Sequence, residues 1–132
     1  GVAAMRFILD THALLFWLFD DKKLSKKART IIAEPRNEIL VSSASAWEIA
    51  TKYRIGKLDA AKVLIRDIPG WVSKAGFTEL PINIEHAQLA GSYSNPHRDP
   101  FDRMLAAQSE VEDVPLISSD KALQKFGIST IW

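Results

Sequence analysis

The chain alternates short strand-like segments with helix-like segments along its length, and this alternation limits the folds that it can adopt. Three apolar segments, RFIL (Arg6–Leu9), EILVS (Glu38–Ser42) and PLISS (115–119), are each followed by residues typical of a helix start. Such alternation favours a mostly parallel sheet, because each parallel connection must cross over the sheet and usually does so as a helix. We therefore expect an α/β, three-layer fold with a central sheet of four to five short strands flanked by helices.

Capping and helix-breaking residues predict where the helices begin and end. Ser25 is placed to cap a helix over 25–34, and Gly56 is placed to end the helix that follows the second strand. The stretch 57–76 is predicted to be helical with an interruption at Pro69–Gly70. Further short strands are predicted at 78–82 and 129–132.

The composition excludes several kinds of chemistry. The absence of cysteine excludes disulfides, thiolate nucleophiles and thiolate metal sites, and the three histidines lack the spacing of a zinc site. A net charge of +1 provides no strong field towards nucleic acid, so any RNA contact must depend on local basic residues. The longest apolar run, ALLFWLF, is far shorter than a membrane span. We expect a cytoplasmic protein.

The first four residues, GVAA, precede Met5 and resemble a remnant of an expression vector. We leave residues 1–4 out of the fold prediction. The remaining 128 positions, 5–132, are the length of one domain, and we expect them to form a single one.

Four acidic residues occur where predicted helices leave the sheet. Asp10 directly follows the first strand, Asp120 directly follows PLISS, and Glu48 lies in the helix that follows the second strand. Asp102 lies in the first turn of another helix. Ligands of open parallel sheets bind outside the carboxyl ends of the strands. The pattern therefore predicts that three of these acids lie at one edge of the sheet, where Asp102 could join them.

Each acid also has a simpler explanation. Asp10 and Asp120 could be helix N-caps, which taken singly is the favoured interpretation. Glu48 could be a solvated helix residue, although apolar neighbours at helical spacing place it beside the buried stripe. Those neighbours are Ala44, Trp47 and Tyr53.

Taken together, four acids are more than capping requires. Two carboxylates about 4 Å apart repel by roughly 4 kcal/mol at an effective dielectric near 20. A cluster is therefore costly unless some members are protonated or a cation binds. Carboxylate oxygens favour Mg²⁺ or Mn²⁺ over zinc, and such an ion supports hydrolysis of a phosphodiester bond.

Four blocks of sequence, in order, carry a family resemblance. FILDTHALLFWL, SSASAWEIATKYRIGKL, HRDPFDRMLAAQ and PLISSDKAL resemble the PIN-domain family, and most closely its VapC-type toxins from toxin–antitoxin pairs. The resemblance extends over residues 5–132. It implies a PIN-like fold, Mg²⁺- or Mn²⁺-dependent endoribonuclease activity on RNA, inhibition by a cognate antitoxin, and a homodimer. It also implies no membrane contact, and contact with DNA only through the antitoxin.

The resemblance assigns roles residue by residue. The catalytic and metal-binding acids of the family match Asp10, Glu48, Asp102 and Asp120. Thr11 matches a position that often carries a small hydroxyl or amide residue, and Ser118 stands where many members have threonine. We expect both to support the acids from an outer shell.

The charged residues around Asp102, the third acid, are expected to have other roles. Asp99 belongs to the variant with the DPFDR block, and we expect a cap or outer-shell partner rather than a direct metal ligand. Arg98 and Arg103 are candidates for RNA phosphate contacts, although Arg103 could equally pair with a carboxylate. His97 is left out of the catalytic set, because hydrolysis by metal-bound water needs no histidine.

Other functions compete with a nuclease. A haloacid-dehalogenase-like phosphatase also has an aspartate after its first strand, but its second aspartate would fall on His12. A receiver-type phosphoacceptor distributes its acids differently. An inactive PIN-like binding module is the main non-enzymatic alternative, and the presence of all four acids argues against it.

The segment after Asp10 contains six consecutive large apolar residues, 14–19, so a helix built from it is apolar on every side. Later helices of the same chain could cover this surface. Alternatively, part of it could receive another chain, and the family resemblance favours an antitoxin segment beside this helix.

Overall fold

The computed structural model describes residues 5–132, so the expectation for residues 1–4 lies outside the described part. Within it, five strands form one sheet. Their bounds are β1 Arg6–Leu9, β2 Glu38–Ser42, β3 Thr78–Leu80, β4 Leu116–Ile117 and β5 Thr130–Ile131. Seven α-helices surround the sheet: α1 Thr11–Leu18, α2 Lys26–Ala33, α3 Ser43–Arg54, α4 Ile68–Lys74, α5 Ile84–Ser92, α6 Pro100–Glu112 and α7 Lys121–Gln124.

All strand pairs are parallel, and the spatial order is β3-β2-β1-β4-β5. β1 is central, with Ile8 in register with Leu40 of β2 and with Leu116 of β4. From β1 the chain adds β2 and then β3 on one side of the sheet. It then returns to the other side of β1 to add β4 and β5. The strand order thus reverses between β1 and β4. In open α/β sheets, ligands bind outside the carboxyl ends of the strands at such a point.

Alternating side chains of β1 divide the core into two layers. Phe7 and Leu9 point to the face covered by α1, α2 and α3, where they pack with Leu14 and Ile49. Ile8 points to the opposite face, which is covered by α6 and α7. Helices therefore cover both faces of a parallel sheet, and the predicted three-layer α/β fold is confirmed.

The predicted helix interruption at Pro69–Gly70 is wrong. A short 3₁₀-helix, Asp59–Val63, is followed by a break, and α4 then begins at Ile68 with the proline in its first turn. Proline fits the first turn because the N–H that it lacks has no intrahelical partner there. Asp67 caps this helix by accepting a hydrogen bond from the Gly70 N–H at 3.0 Å.

Helix α1 shows how the long apolar run is accommodated. Leu14 and Leu15 are buried in the core, whereas Phe16, Trp17 and Leu18 are partly exposed. Phe19, just after the helix, is 39% exposed. The chain thus covers one side of α1 and leaves its far end partly open. Over residues 5–132, none of the helices has the length and apolar character needed to cross a membrane.

Candidate active site

Two of the predicted acids lie at the ends of the central strands and cap the helices that follow. Asp10 is buried after β1 and accepts a hydrogen bond from the Ala13 N–H at 2.7 Å. Asp120 accepts one from the Ala122 N–H at 2.9 Å. The capping explanation is therefore confirmed for both. Each cap involves a single carboxylate oxygen, Oδ1, so capping leaves the second oxygen for another partner.

Burial and neighbouring groups shift the pKa of Asp10. Burial raises the pKa of Asp10, the Ser118 side chain and the Ala13 N–H lower it, and the charge of Asp120 raises it. The hydroxyl of Ser118 is buried and accepts a hydrogen bond from the Asp120 N–H at 3.0 Å. Ser118 therefore interacts with both acids, and its outer-shell role stays a prediction.

Glu48 enters the site from α3. The residue is only 4% exposed, so the solvated-helix interpretation is wrong. The apolar-stripe argument holds for buried Ala44 but fails for Trp47, which is 56% exposed and packs edge-on against the Phe101 ring. The carboxylate of Glu48 accepts a hydrogen bond from Lys52 Nζ at 2.5 Å.

The opening turn of α6 carries Asp102. Asp99 is the N-cap, and its Oδ1 accepts hydrogen bonds from the Phe101 N–H at 2.9 Å and the Asp102 N–H at 3.3 Å. Pro100 takes the first helical position, where its fixed φ suits the helix. The expected capping role of Asp99 is confirmed, and it orients the turn from which Asp102 projects.

Burial and the charges of three other acids raise the pKa of Asp102. Its pKa is raised to about 6, first by burial and then by the charges of Asp99, Asp120 and Glu48, while a hydrogen bond with His97 lowers it. Such coupling requires the charges to lie near one another, because charge interactions through solvent fade within a Debye length. The charges that act on Asp102 thus come from three separate segments: the N-cap of α7 (Asp120), the helix α3 (Glu48) and the N-cap of α6 (Asp99).

Buried polar contacts hold the helices that carry these acids. Ser42, at the end of β2, caps α3 and donates a hydrogen bond to Oε1 of the fully buried Gln108 on α6. Thr11 donates to Ser45 Oγ at 3.0 Å and so joins α1 to α3. Because unsatisfied buried polar groups are costly, these contacts fix the relative placement of the helices. The outer-shell position expected for Thr11 agrees with this contact.

The donor set suits a hard divalent cation by its chemistry, since it consists of mutually repelling carboxylates. Within residues 5–132, however, the structure contains no group of three or more histidine, aspartate or glutamate side chains that could hold a metal ion. One oxygen of each carboxylate has a partner: Glu48 with Lys52, Asp102 with His97, and the other two with helix N-termini. Metal binding therefore requires the acidic side chains to move from these positions.

Sequence reasoning missed two partners of the acids. His97 Nε2 lies 2.9 Å from Asp102 Oδ2, a contact between the loop before α6 and its first turn that no spacing rule indicates. Lys52 bonds Glu48 one helical turn away, and the Glu-to-Lys spacing of four residues is a pattern that could have predicted it.

The two arginines beside Asp102 have different surroundings. Arg103 donates hydrogen bonds to the backbone carbonyls of four residues: Ala90, Tyr93, Asn95 and His97. These bonds occupy most of its guanidinium donors, so Arg103 holds the loop before α6. Its contact with RNA stays a prediction. Arg98 is exposed and remains a candidate for a phosphate contact.

We expect the metal-free protein to lose stability as the pH rises through about 6. The pKa of Asp102 is about 6 in the folded protein and 3.8 without its surroundings. Between these two pH values the Asp102 carboxyl is mostly protonated in the folded state and mostly ionised in the unfolded state. Stability then falls with rising pH, because ionisation occurs against burial and neighbouring charges. Urea unfolding in chelator at about pH 5 and about pH 7.5 measures this loss.

The Asp102→Asn variant supplies the control for the pH experiment. It should lose less stability than wild type over the same interval, because its side chain does not ionise. The comparison is repeated in a His97→Asn background, which removes the neighbouring imidazole. Equal losses in wild type and Asp102→Asn in both backgrounds would contradict the assignment.

Comparison with known families identifies a match over nearly the whole chain. A family model described as the PIN domain matches residues 7–128. A curated relative, Ribonuclease VapC16 of Mycobacterium tuberculosis, is 39% identical over 64 residues, which cover 48% of this chain and 44% of that protein. The chain thus matches less than half the length of this relative.

Solved structures with the same fold include two VapBC structures. VapBC2 from Rickettsia felis, bound to a DNA fragment from its promoter, superposes with a TM-score of 0.70 at 14% identity, covering 97% of this chain and 99% of that one. VapBC-1 from nontypeable Haemophilus influenzae gives a TM-score of 0.62 at 17% identity, covering 96% and 97%. At these identities, the similarity establishes the fold.

Proposed function

The chain belongs to the PIN-domain family, and we propose that it is a Mg²⁺- or Mn²⁺-dependent endoribonuclease, the toxin of a toxin–antitoxin pair. The observation that carries this proposal is the placement of Asp10 and Asp120 as N-caps after the neighbouring parallel strands β1 and β4, together with the buried Glu48 on α3. The raised pKa of Asp102, to about 6, supports it. Perturbed carboxylates that gather at the ligand-binding edge of a parallel sheet are typical of a catalytic site.

The proposed chemistry divides between the ion and the protein. A bound Mg²⁺ or Mn²⁺ would activate a water molecule and neutralise charge on the scissile phosphate. We propose Asp10, Glu48, Asp102 and Asp120 as its ligands, because carboxylates provide the hard oxygen donors that such an ion prefers. Asp99, Thr11 and Ser118 hold the turns and helices from which those ligands project.

We propose RNA as the substrate, following the name of the ribonuclease relative, and Arg98 as a phosphate contact. Arg98 is exposed beside the acidic site, where its guanidinium can form paired hydrogen bonds with a phosphate. Membership of the PIN-domain family removes the case for a haloacid-dehalogenase-like phosphatase. The inactive binding module remains the second candidate and predicts metal-independent RNA binding without cleavage.

The direct test is incubation of the purified protein, free of antitoxin, with total cellular RNA. The nuclease proposal predicts discrete cuts with Mn²⁺ and none with chelator, and mapping of the cut ends would identify the RNA. Intact RNA at millimolar Mn²⁺, with RNA still bound to the protein, would favour the inactive module instead.

We further propose a homodimer and a cognate antitoxin that packs against the open end of α1. The two VapBC structures that share this fold support the idea of such a partner. Phe16, Trp17 and Phe19 offer aromatic surface that the chain itself covers only in part. A basic antitoxin residue near the acids would compete with the metal or substrate.

We expect Phe19→Ser to weaken antitoxin binding at least about tenfold, because aromatic anchors dominate such interfaces. Ile84→Ser on α5 is the matched control, since Ile84 is apolar and 86% exposed but lies on another helix. Titration of each variant with the co-expressed antitoxin measures the effect, and light scattering tests the dimer. Equal affinities would place the antitoxin elsewhere, and a strict monomer would refute the dimer.

A further inference from the structure

Lys52 is the positively charged group in direct contact with Glu48. It lies one turn after Glu48 on α3, and its Nζ donates a hydrogen bond to Glu48 Oε2 at 2.5 Å. The side chain of Glu48 is 5% exposed and that of Lys52 is 37% exposed. The carboxylate is therefore withdrawn from water, and its charge is balanced by a lysine that still reaches solvent.

The charges of two acids at the start of α6 also act on the ammonium group of Lys52. Burial by itself lowers the pKa of Lys52, but the hydrogen bond and charge of Glu48 and the charges of Asp99 and Asp102 raise it above its ordinary value. Lys52 thus lies within the field of three carboxylates, two of which come from the start of α6. It neutralises part of the acid cluster in the protein without metal.

A divalent ion and this ammonium group would need the same carboxylate. A carboxylate buried without a partner is strongly unfavourable, so Glu48 keeps its lysine until another cation arrives. Once an ion is bound to Glu48, two positive charges lie close together in a partly buried region, where charge repulsion is strong. The lysine side chain is long, flexible and partly exposed, so it can move towards solvent.

Resting on the proposed function, we infer that Lys52 is a competing cation built into the acidic site, which holds Glu48 in the metal-free protein and must be displaced before Glu48 ligates the metal. The metal affinity of this chain is then set by Lys52 as well as by the carboxylates. Lys52 is a positioning residue here, because it acts through Glu48.

Calorimetric titration of the full chain with Mn²⁺ tests the inference. Lys52→Met removes the charge and keeps most of the aliphatic side chain, and we expect it to lower the Mn²⁺ dissociation constant about five- to tenfold, since a repelling charge is lost. Lys52→Arg keeps the charge and should bind Mn²⁺ much as wild type does. Lys57→Met, the same change at an exposed lysine beyond the end of α3, is the control and should leave the constant within about twofold, because exposed charges are screened.

A second readout follows from the same argument. In chelator, Lys52→Met should melt at a lower temperature than wild type, because Glu48 loses its partner. Mn²⁺ should raise the melting temperature of Lys52→Met by more than it raises that of wild type. A purely structural lysine would lower the melting temperature without tightening Mn²⁺ binding. If Lys52→Met does not fold without metal, Lys52→Gln removes the charge while keeping a hydrogen-bond donor, and the same tightening is expected.

The possible outcomes separate this inference from the nuclease proposal. Equal or weaker Mn²⁺ binding by a folded Lys52→Met or Lys52→Gln protein would overturn the competing role and leave the nuclease proposal standing. Tightening by Lys52→Arg equal to that by Lys52→Met would also overturn it, because lost packing rather than lost charge would then be the cause. Absence of Mn²⁺ binding in every protein, wild type included, would overturn both.

Discussion

Asp102→Asn is expected to lower Mn²⁺-dependent RNA cleavage at least about a hundredfold, because a metal ion contributes several kcal/mol of charge stabilisation and each 1.4 kcal/mol is worth tenfold in rate. Asparagine has nearly the same shape as aspartate but lacks the negative charge that the proposed ion requires. Initial cleavage rates on a defined RNA, at saturating Mn²⁺, measure the loss. Asp10→Asn and Asp120→Asn should behave alike, and both keep the ability to cap a helix.

Two further variants control for the fold and for local charge. Asp99→Asn preserves the cap of α6 and should reduce cleavage much less than Asp102→Asn does. Asp113→Asn lies at the other end of α6 in a left-handed conformation that asparagine tolerates, and it should not change the rate. Wild-type cleavage by a folded Asp102→Asn protein would refute the assignment, and an equal loss in Asp99→Asn would make Asp99 a direct ligand.

Mn²⁺ is expected to raise the melting temperature of the wild-type protein by about 10 °C at a hundredfold excess over its dissociation constant. At that excess a ligand of the folded state adds about 2.7 kcal/mol to the free energy of unfolding, and in a domain of this size each kcal/mol is worth about 3–5 °C. The gain has a physical source in the acids, whose mutual repulsion in the metal-free protein is relieved when the cation binds. Thermal unfolding with Mn²⁺ and with chelator measures the difference.

Glu48→Gln should show a smaller Mn²⁺-induced shift, because one carboxylate ligand is removed while the side-chain shape is kept. Asp113→Asn again serves as the control and should shift as wild type does. A wild-type protein that does not shift at millimolar Mn²⁺ would contradict the proposed metal site. A full shift in Glu48→Gln would exclude Glu48 from the ligands and leave the other three.

Local patterns predicted the framework of the site. The bounds of β1 and β2 are those expected from their apolar runs, and Ser25 caps α2 through the Ala28 N–H as predicted. Asp10 and Asp120 were placed correctly after β1 and β4, because a strand end and a helix cap are determined by residues within a few positions of each other. The roles of the four acids as metal ligands stay predictions.

Some local residue patterns are compatible with more than one structure, and there the sequence alone does not decide the outcome. Pro69 and Gly70 suggested a helix break, but proline is equally compatible with a first turn, and the Asp67 cap selected that solution. The sequence also gives no indication that the loop before α6 folds around Arg103 and presents backbone carbonyls to it. Neither outcome follows from residue type alone.

The sequence by itself determined the alternation of strands and helices, and with it the edge of the sheet at which the acids would emerge. Only the tertiary structure decided how strongly the acids interact. The pKa of Asp102 depends on burial and on charges from residues 54 positions earlier and 18 positions later in the chain, at Glu48 and Asp120. Desolvation and charge coupling depend on distances in space, and those distances are set by the packing of α3, α6 and the sheet rather than by separation along the chain.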